Sequence, residues 1–582
     1  MKCKLVNKAI YNNYIPELLE ERGLTKEEVQ YLLNVEDDRY LESPQRLDYV
    51  KEGMVLLHKH LANDDNTILI VVDSDVDGFT SAAMMYKYID HRNPNIKVDY
   101  LLHKGKGHGL ADTIQDILSS DTHYNLVILP DSSSNDYEYH LMLKDYGAEC
   151  LILDHHLVEP DTKFADNAVI INNQLSDDYT NKNLCGAGVV WQFIRYMDSF
   201  CKEDYASTII DLAALGIVSD MMSMLSLENR YIVKNGFENV SNYFFQALCD
   251  KQSYSMGGKV TPMTVAFYIT PLINAMIRVG SMEEKQRCFE AFLNGHKMIP
   301  SKKRGAKGAP EELAIESARE CTNARAKQNR ILDKAVELLE IKIFKYDLLE
   351  NKILFIELED EDIPAELNGL VAMKLSQKYK KPTIIARVNE QGEVKGSQRG
   401  LNESELKDFK GFLDNSGLML FTAGHANASG IGIKEENIDK LLDYANIELA
   451  DVDFGENWYE VNFERLATDS DLKDLIWDIS SYEDIWGQLN AEPLIHVKDI
   501  NVAKKDVQVM GRNKDTIKIE KNGVAYMFFR CKDHVEDFKA QDELRLEVVG
   551  RANLNEWGGM FTPQIFVTDF EIKKGLPDYL TF

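Results

Sequence analysis

Thr67-Ile68-Leu69-Ile70-Val71-Val72-Asp73-Ser74-Asp75-Val76-Asp77-Gly78 is the stretch on which the reading of this 582-residue chain turns. An apolar run rich in β-branched residues ends in three carboxylates at alternate positions, followed by a glycine. Acids packed this closely repel one another and raise each other's pKa unless a cation sits among them. Ligands that are all oxygen point to a hard divalent ion such as Mg²⁺, Mn²⁺ or Ca²⁺. A calcium loop beginning D-x-D-x-D-G would need a bidentate Glu at its twelfth position, which here is Met84. It would also follow a helix, whereas 67–72 reads as a buried strand. A solvated acidic turn without function is the plainer alternative for the motif taken alone.

Outward from this stretch, strand-like runs alternate with longer helical ones, at 67–72, 96–101, 125–129, 149–153 and 168–171. Such alternation implies a parallel sheet covered by helices on both faces. Ligands of these sheets bind beyond the carboxyl ends of the strands. Asp73, Asp131 and Asp154 all fall at such ends, so acids far apart in sequence can converge there. Asp154 is followed by His155 and His156, an Asp-His-His at a strand end that favours a metal or phosphate site. Asp220 closes a further apolar run, Leu215-Gly216-Ile217-Val218-Ser219.

The length calls for about three or four domains. We expect an N-terminal helical segment at 1–60, an α/β domain at 61–230 and a helical region at 231–342 ending in a long helix over 311–342. A second α/β domain at 343–450, an acidic helical linker at 451–492 and a small β-barrel at 493–582 follow. For the barrel the alternation gives five strands, at 495–502, 516–520, 523–530, 544–550 and 564–570. No apolar run approaches membrane-spanning length and no signal-like block follows Met1-Lys2-Cys3-Lys4, so a cytoplasmic protein is expected. Eight scattered cysteines without a C-x-x-C pair indicate neither a disulfide framework nor a zinc site.

A net charge of −29 excludes a surface that coats nucleic acid generally, but not a local basic groove. One basic run stands out at 301–330, with Lys302, Lys303, Arg304, Lys307, Arg319, Arg325, Lys327 and Arg330. A solvated helix face explains it equally well.

The ordered series Asp73-x-Asp75-x-Asp77-Gly78, Asp131, Asp154-His155-His156 and Gly216-x-x-x-Asp220 resembles the motifs of the DHH phosphoesterase superfamily. Leu184-Cys185-Gly186-Ala187-Gly188-Val189, and Ile273-Asn274-Ala275 with Arg278, narrow the resemblance to the RecJ single-strand exonuclease family. Gly396-Ser397-Gln398-Arg399 and Gly424-His425-Ala426-Asn427-Ala428-Ser429-Gly430 are similar to the glycine-rich signatures of a DHHA1 domain. Asn553-Leu554-Asn555-Glu556-Trp557 with Pro563-Gln564 is similar to the closing strands of the RecJ OB-fold. The likeness runs from about 67 to 572, with the modules in family order.

That resemblance implies an α/β multidomain chain: a DHH parallel-sheet domain, a helical connector, a DHHA1 domain and a C-terminal OB-fold barrel. It implies a processive 5′-to-3′ exonuclease that reduces single-stranded DNA to mononucleotides with two divalent ions, Mn²⁺ or Mg²⁺. By resemblance Asp75 holds one ion, Asp77 and Asp220 the other, and Asp131 bridges them. His155 is a further ligand, with Asp73 either direct or through water. His156 contacts the scissile phosphate and Asp154 orients the histidine pair. Asn274, Arg278, Ser397, Arg399 and His425 match positions that bind the substrate backbone. Lys104 and Lys106 fall where the family places a basic residue at the 5′ end. Tyr526, Phe528, Phe529 and Trp557 are candidate base-stacking platforms, half of them core by alternation.

Partners implied are single-stranded DNA and a single-strand-binding protein or helicase, with a monomeric chain. Three departures mark a divergent, phage-type member: Ser132-Ser133 after Asp131, Met221-Met222-Ser223-Met224 after Asp220, and His108 where the family has an aromatic residue. None removes a presumed ligand. Two other readings stay open, a phosphodiesterase for short oligonucleotides or cyclic dinucleotides and a non-catalytic replication scaffold.

Overall fold

The computed structural model describes residues 1–7, 12–105, 107–359, 363–389, 392–540 and 542–573. The chain divides into two compact units, one of Glu27–Gln328 with Asp484–Ala491, the other of Met1–Lys26, Asn329–Glu483 and Glu492–Phe582.

The first unit is built on a five-stranded parallel sheet in the order Lys97–Leu102, Thr67–Val72, Leu126–Pro130, Glu149–Asp154, Ala168–Asn172. The run at 67–72 is apolar at every inner position because both of its faces are covered. Ile68, Ile70 and Val72 enter one hydrophobic core with Ile128, Leu151 and Leu153. Leu69 and Val71 enter the opposite core with Val127, Leu129 and Ile152. Helices Val76–Arg92, Gly186–Cys201 and Ile210–Ser219 cover the first of these faces. The in-phase register, Val72 beside Leu102 and Pro130 beside Leu153, brings the acid-bearing ends to one edge.

Pro262–Val279 is long and apolar enough to cross a membrane by length and composition, which the sequence reading missed because Thr, Asn and Arg interrupt it. Half of that stretch is buried within the fold. It includes a π-helical segment, Val265–Ile269, and then the helix Thr270–Val279 that carries Asn274 and Arg278. Asp484–Ala491 also belongs to this unit, tied by Arg230 to Asp484 at 2.7 Å and by the Met224 N–H to the Gln488 carbonyl at 2.9 Å. The end of the predicted linker is therefore packed structure.

The second unit holds a five-stranded mixed sheet in the order Met419–His425, Ala428–Lys434, Glu393–Arg399, Thr383–Val388, Leu354–Glu357. It also holds a seven-stranded sheet: Phe463–Leu466, Leu494–Ala503, Glu543–Trp557, Met560–Lys573, Val524–Phe528, Thr516–Lys521, Val507–Met510. Two of these strands were not predicted. Phe463–Leu466 adds to an edge in parallel, and Val507–Met510 is only four residues long. Among the described residues no pairing joins these outermost strands. Lys2–Leu5 lies beside Trp458–Val461 in parallel, so the N-terminal segment is not purely helical and 451–492 contains strands. The long helix is Leu313–Lys345, close to its predicted span.

Candidate metal centre

The opening motif divides its three acids among three local roles. Asp73 follows the strand Thr67–Val72. Asp75 caps the helix Val76–Arg92, accepting from the Gly78 N–H at 2.9 Å, and Asp77 lies in the first turn of that helix. Gly78 lets helix and strand end meet, since a Cβ there would lie 2.5 Å from Asp73 Cβ and 2.7 Å from its carbonyl oxygen. Asp77 is buried against the start of the helix Gly186–Cys201, accepting the N–H groups of Gly186 at 2.8 Å and Ala187 at 2.9 Å. A helix N-terminus is a favourable place for that carboxylate. The Leu184–Val189 segment thus positions an acid, a role its motif did not reveal.

Asp131 follows the strand Leu126–Pro130 with φ at 66°, a left-handed conformation that Asp adopts more readily than most residues. Its Oδ1 is 3.2 Å from His155 Nε2 but lacks a hydrogen-bonding geometry, leaving a buried carboxylate oxygen unsatisfied. His155 Nε2 is also 3.5 Å from Asp220 Oδ2 and 3.9 Å from Asp77 Oδ2. Asp154 is buried and accepts from the His155 N–H at 2.7 Å, the His156 N–H at 3.2 Å, His156 Nδ1 at 2.8 Å and the Ser134 N–H at 3.0 Å. Burial opposes the Asp154 charge, but the hydrogen bond to His156 and the neighbouring imidazoles outweigh it and hold the carboxyl well below its usual range. With Nδ1 turned to Asp154, His156 presents Nε2 away from it.

Among the described residues, donor atoms within 4.8 Å of one another form three groups: Asp73, Asp75 and Asp131; Asp77, His155 and Asp220; Asp131, His155 and His156. Burial, then Asp73 and Asp77, push Asp75 up to about 6. Burial, then Asp77 and Asp75, push Asp220 up to about 9, and burial with the surrounding acids drives Asp131 well above the carboxylate range. Burial lowers His155, favouring the neutral imidazole that a metal ligand requires. Carboxylates with imidazole, one oxygen unsatisfied, fit a hard or borderline divalent ion.

His108, the departure from the family pattern, enters this centre. Its Nδ1 is 2.8 Å from Asp73 Oδ2 and its ring centroid 4.5 Å from that of His156. Burial opposes its charge, yet the hydrogen bond and the Asp73 carboxylate raise it to about 9. The Gly109 N–H reaches the other Asp73 oxygen at 3.2 Å. His103 is buried 3.8 Å from Asp73 with both ring nitrogens unsatisfied, and no sequence signal marked it.

Asn274 and Arg278, one turn apart, line a cavity of about 170 Å³ with Ser74, Asp75, Val76, Asp77, Ser219 and Asp220. Lys104 is exposed and paired with Asp116 at 2.8 Å, and Lys106 lies outside the described residues. In the second unit, Ser397 and Arg399 lie on the strand Glu393–Arg399, and His425 ends the strand Met419–His425. The Arg399 guanidinium lies over Gly369, where a Cβ would come within 2.4 Å of Nη2. Tyr526 and Phe528 are each only 1% exposed and so are core, not stacking platforms, since the strand register turns them inward. Phe529 is half exposed, edge-on to Phe566; the Trp557 side chain lies outside the described residues.

Comparison with known proteins matches residues 67–217 to the DHH family N-terminal domain and 470–569 to the RecJ OB domain. YorK, an SPbeta prophage-derived protein of Bacillus subtilis named as a single-strand DNA-specific exonuclease, is 33% identical over the whole of both chains. This chain belongs to the RecJ type of the DHH superfamily. The single-stranded-DNA-specific exonuclease RecJ of B. subtilis is 24% identical, covering 96% of this chain and 68% of its own. RecJ of Thermus thermophilus, solved in complex with Mn²⁺, superposes with a TM-score of 0.70 at 18% identity, covering 99% of this chain and 80% of that one, a likeness of fold. The RecJ-type chain thus has a DHH-like α/β domain and a RecJ OB-like C-terminal region.

Proposed function

We propose that this RecJ-type chain is a metal-dependent exonuclease that hydrolyses single-stranded DNA from the 5′ end to mononucleotides. The observation that carries the reading is the Asp131 Oδ1, unsatisfied among the described residues, at the junction of two groups of buried and half-buried donors. On this reading Asp73, Asp75 and Asp131 would hold one Mn²⁺ or Mg²⁺ ion, and Asp77, His155 and Asp220 would hold the other. Two divalent ions, when bound, clamp the phosphate, make a bound water acidic and stabilise the leaving oxygen. Asp154 fixes the His156 ring so that Nε2 meets a phosphate oxygen. Arg278 and Asn274, lining the same cavity, orient the phosphodiester.

The five-stranded mixed sheet is proposed as a DHHA1 domain, with Ser397, Arg399 and His425 on the substrate backbone. The seven-stranded sheet is proposed as the OB module, with Phe529 as its stacking aromatic. The six-part division of the chain, a cytoplasmic monomer, and a single-strand-binding protein or helicase as partner complete the proposal. Lys104 is the weaker 5′-end candidate because Asp116 already neutralises it.

Incubation with Mn²⁺ and single strands labelled at either end, beside Asp131→Ala, tests this reading. Mononucleotides released from the 5′ end by the wild type and not by the variant are expected. Release from the 3′ end overturns the polarity, and an equally active variant overturns the site.

A further inference from the structure

The basic run at 301–330 divides sharply once its partners are known. Lys302 is 3.2 Å from Glu283, its backbone N–H bonds Glu316 at 3.0 Å, and Arg319 pairs with Glu311 at 2.9 Å and with Glu316. These residues neutralise the acids of their own surface and offer nothing to a ligand. Arg325 differs. Its Nη1 donates to the Gln328 Oε1 at 2.7 Å, a neutral acceptor, and the side chain is half-buried. Gln328 is fully buried and its Nε2 has no partner among the described residues.

Two residues on, Lys327 Nζ donates to the Val279 carbonyl at 2.7 Å. That bond fastens this part of the long helix to the end of the helix Thr270–Val279, immediately beside Arg278. Arg278 has no hydrogen bond or ion pair among the described residues, although it lines the cavity that Asp75 also lines. Burial first, and then the Arg325 charge, disfavour its cation, and the Asp75 carboxylate only partly offsets them. Both guanidinium groups are half-buried, on helices that the Lys327–Val279 bond ties together, and among the described residues neither is hydrogen-bonded or ion-paired to a carboxylate, in a chain with 95 acidic side chains to choose from. Such an arrangement is costly unless an anion joins it, and a phosphodiester accepts from arginine forks in just this way.

We infer that Arg325 and Arg278 form a clamp over two successive phosphodiesters, Arg278 on the one that is hydrolysed and Arg325 on the one adjoining it, with Gln328 fixing the Arg325 fork and Lys327 fixing its helix; this rests on the nuclease reading. Arg325 is then a positioning residue. It holds a neighbouring link of the strand so that the scissile phosphate settles in the metal centre. The ligand chemistry required is a strand with at least two phosphodiesters.

The test compares Arg325→Gln, Arg325→Lys and wild type on a dinucleotide with one phosphodiester, a trinucleotide with two, and a decanucleotide. For Arg325→Gln the ratio of kcat/KM on trinucleotide to that on dinucleotide is expected to fall at least tenfold, mostly through KM. Arg325→Lys recovers part of the loss. The salt dependence of decanucleotide binding, read by anisotropy in Ca²⁺, should flatten by about 0.7 in log–log slope for one lost contact on a single strand. An unchanged ratio with an unchanged salt slope overturns the clamp. Equal losses on both substrates with a lowered melting temperature overturn it too, in favour of a structural role. If wild type cleaves none of these strands the nuclease reading fails, and the anisotropy series alone then decides Arg325, with unchanged binding overturning it.

Discussion

Replacing Gly186 by alanine isolates the geometry on which the metal centre depends. A Cβ at this position would stand 2.4 Å from Asp131 Oδ1, 2.5 Å from its Cβ and 2.7 Å from its Cγ. Ordinary contact lies at 3.4–4 Å, so about 1 Å must open between the helix and the acid. The helix start is held where it is, because the Gly186 and Ala187 N–H groups carry Asp77. Asp131 hangs from a buried strand end already at φ 66°. The carboxylate is the group that yields, shifting from its place 3.2 Å from His155 Nε2.

Overpacking of this kind costs about 1–3 kcal/mol, and a 1 Å misplacement of a reacting centre costs about 100-fold in rate. The expected result for Gly186→Ala is a slightly lowered melting temperature, Mn²⁺ binding weakened in calorimetry, and kcat/KM on single-stranded DNA down about 100-fold. Gly188→Ala is the control. Its Cβ, in the same helix as Gly186, meets the side chain of Leu184 just before the helix at 2.2 Å, with no Asp131 atom among its three nearest neighbours. Wild-type Mn²⁺ affinity and rate in Gly186→Ala would falsify the argument, as would a Gly188→Ala variant equally damaged in metal binding.

Three further outcomes follow from the electrostatics. Asp75 and Asp220 have folded pKa values raised to about 6 and about 9, above the unfolded carboxylate value, so the folded, metal-free protein holds protons that the unfolded chain releases. Its stability is therefore greatest with respect to these groups below about pH 4 and is lost as pH rises through 6 and then 9. Melting curves with a chelator should show that decline and Mn²⁺ should reverse it; a chelated protein equally stable across this range would contradict the charge cluster. Asp220→Asn should separate stability from binding, melting higher than wild type at pH 8 without metal while binding Mn²⁺ less tightly; a lower melting point there would mean the carboxylate is not under strain. Asp154→Asn exchanges an acceptor of four hydrogen bonds for an amide that cannot accept them all, so activity should drop about 10–100-fold with the ligands still present. Proton NMR of His156 should then show its pKa reduced, and an unaltered imidazole would refute the assigned bond.

The parallel sheet was legible because its signal is local and repeated. Covered on both faces, 68–72, 126–130 and 150–153 could stay apolar until the edge, where Asp73, Asp131 and Asp154 mark the change of environment. What escaped was long-range or a matter of phase. Lys2–Leu5 pairs with Trp458–Val461 across most of the chain, and nothing in either segment announces the other. Tyr526, Phe528 and Phe529 read alike as aromatics, and only the inward phase of the strand Val524–Phe528 and its end before Phe529 separate two core rings from one exposed ring. His108 was visible as a departure, but its bond to Asp73 depends on how 103–109 folds back over the strand end.

The centre is better understood from which charges the protein satisfies than from how many it collects. Asp77 has two helix N–H groups, Asp75 has the Gly78 N–H, and Asp154 has four donors. Asp73 has His108 and the Gly109 N–H. Asp131 Oδ1 has no hydrogen-bond partner among the described residues, and Asp220 sits at the C-terminal end of the helix Ile210–Ser219, where the dipole disfavours an acid. His155 stands between these two and is too buried to be readily charged. The uncompensated negative charge is thus concentrated on the two acids that share this imidazole. Either protons or divalent cations must supply the missing charge there, and a nuclease working near neutral pH would need the second.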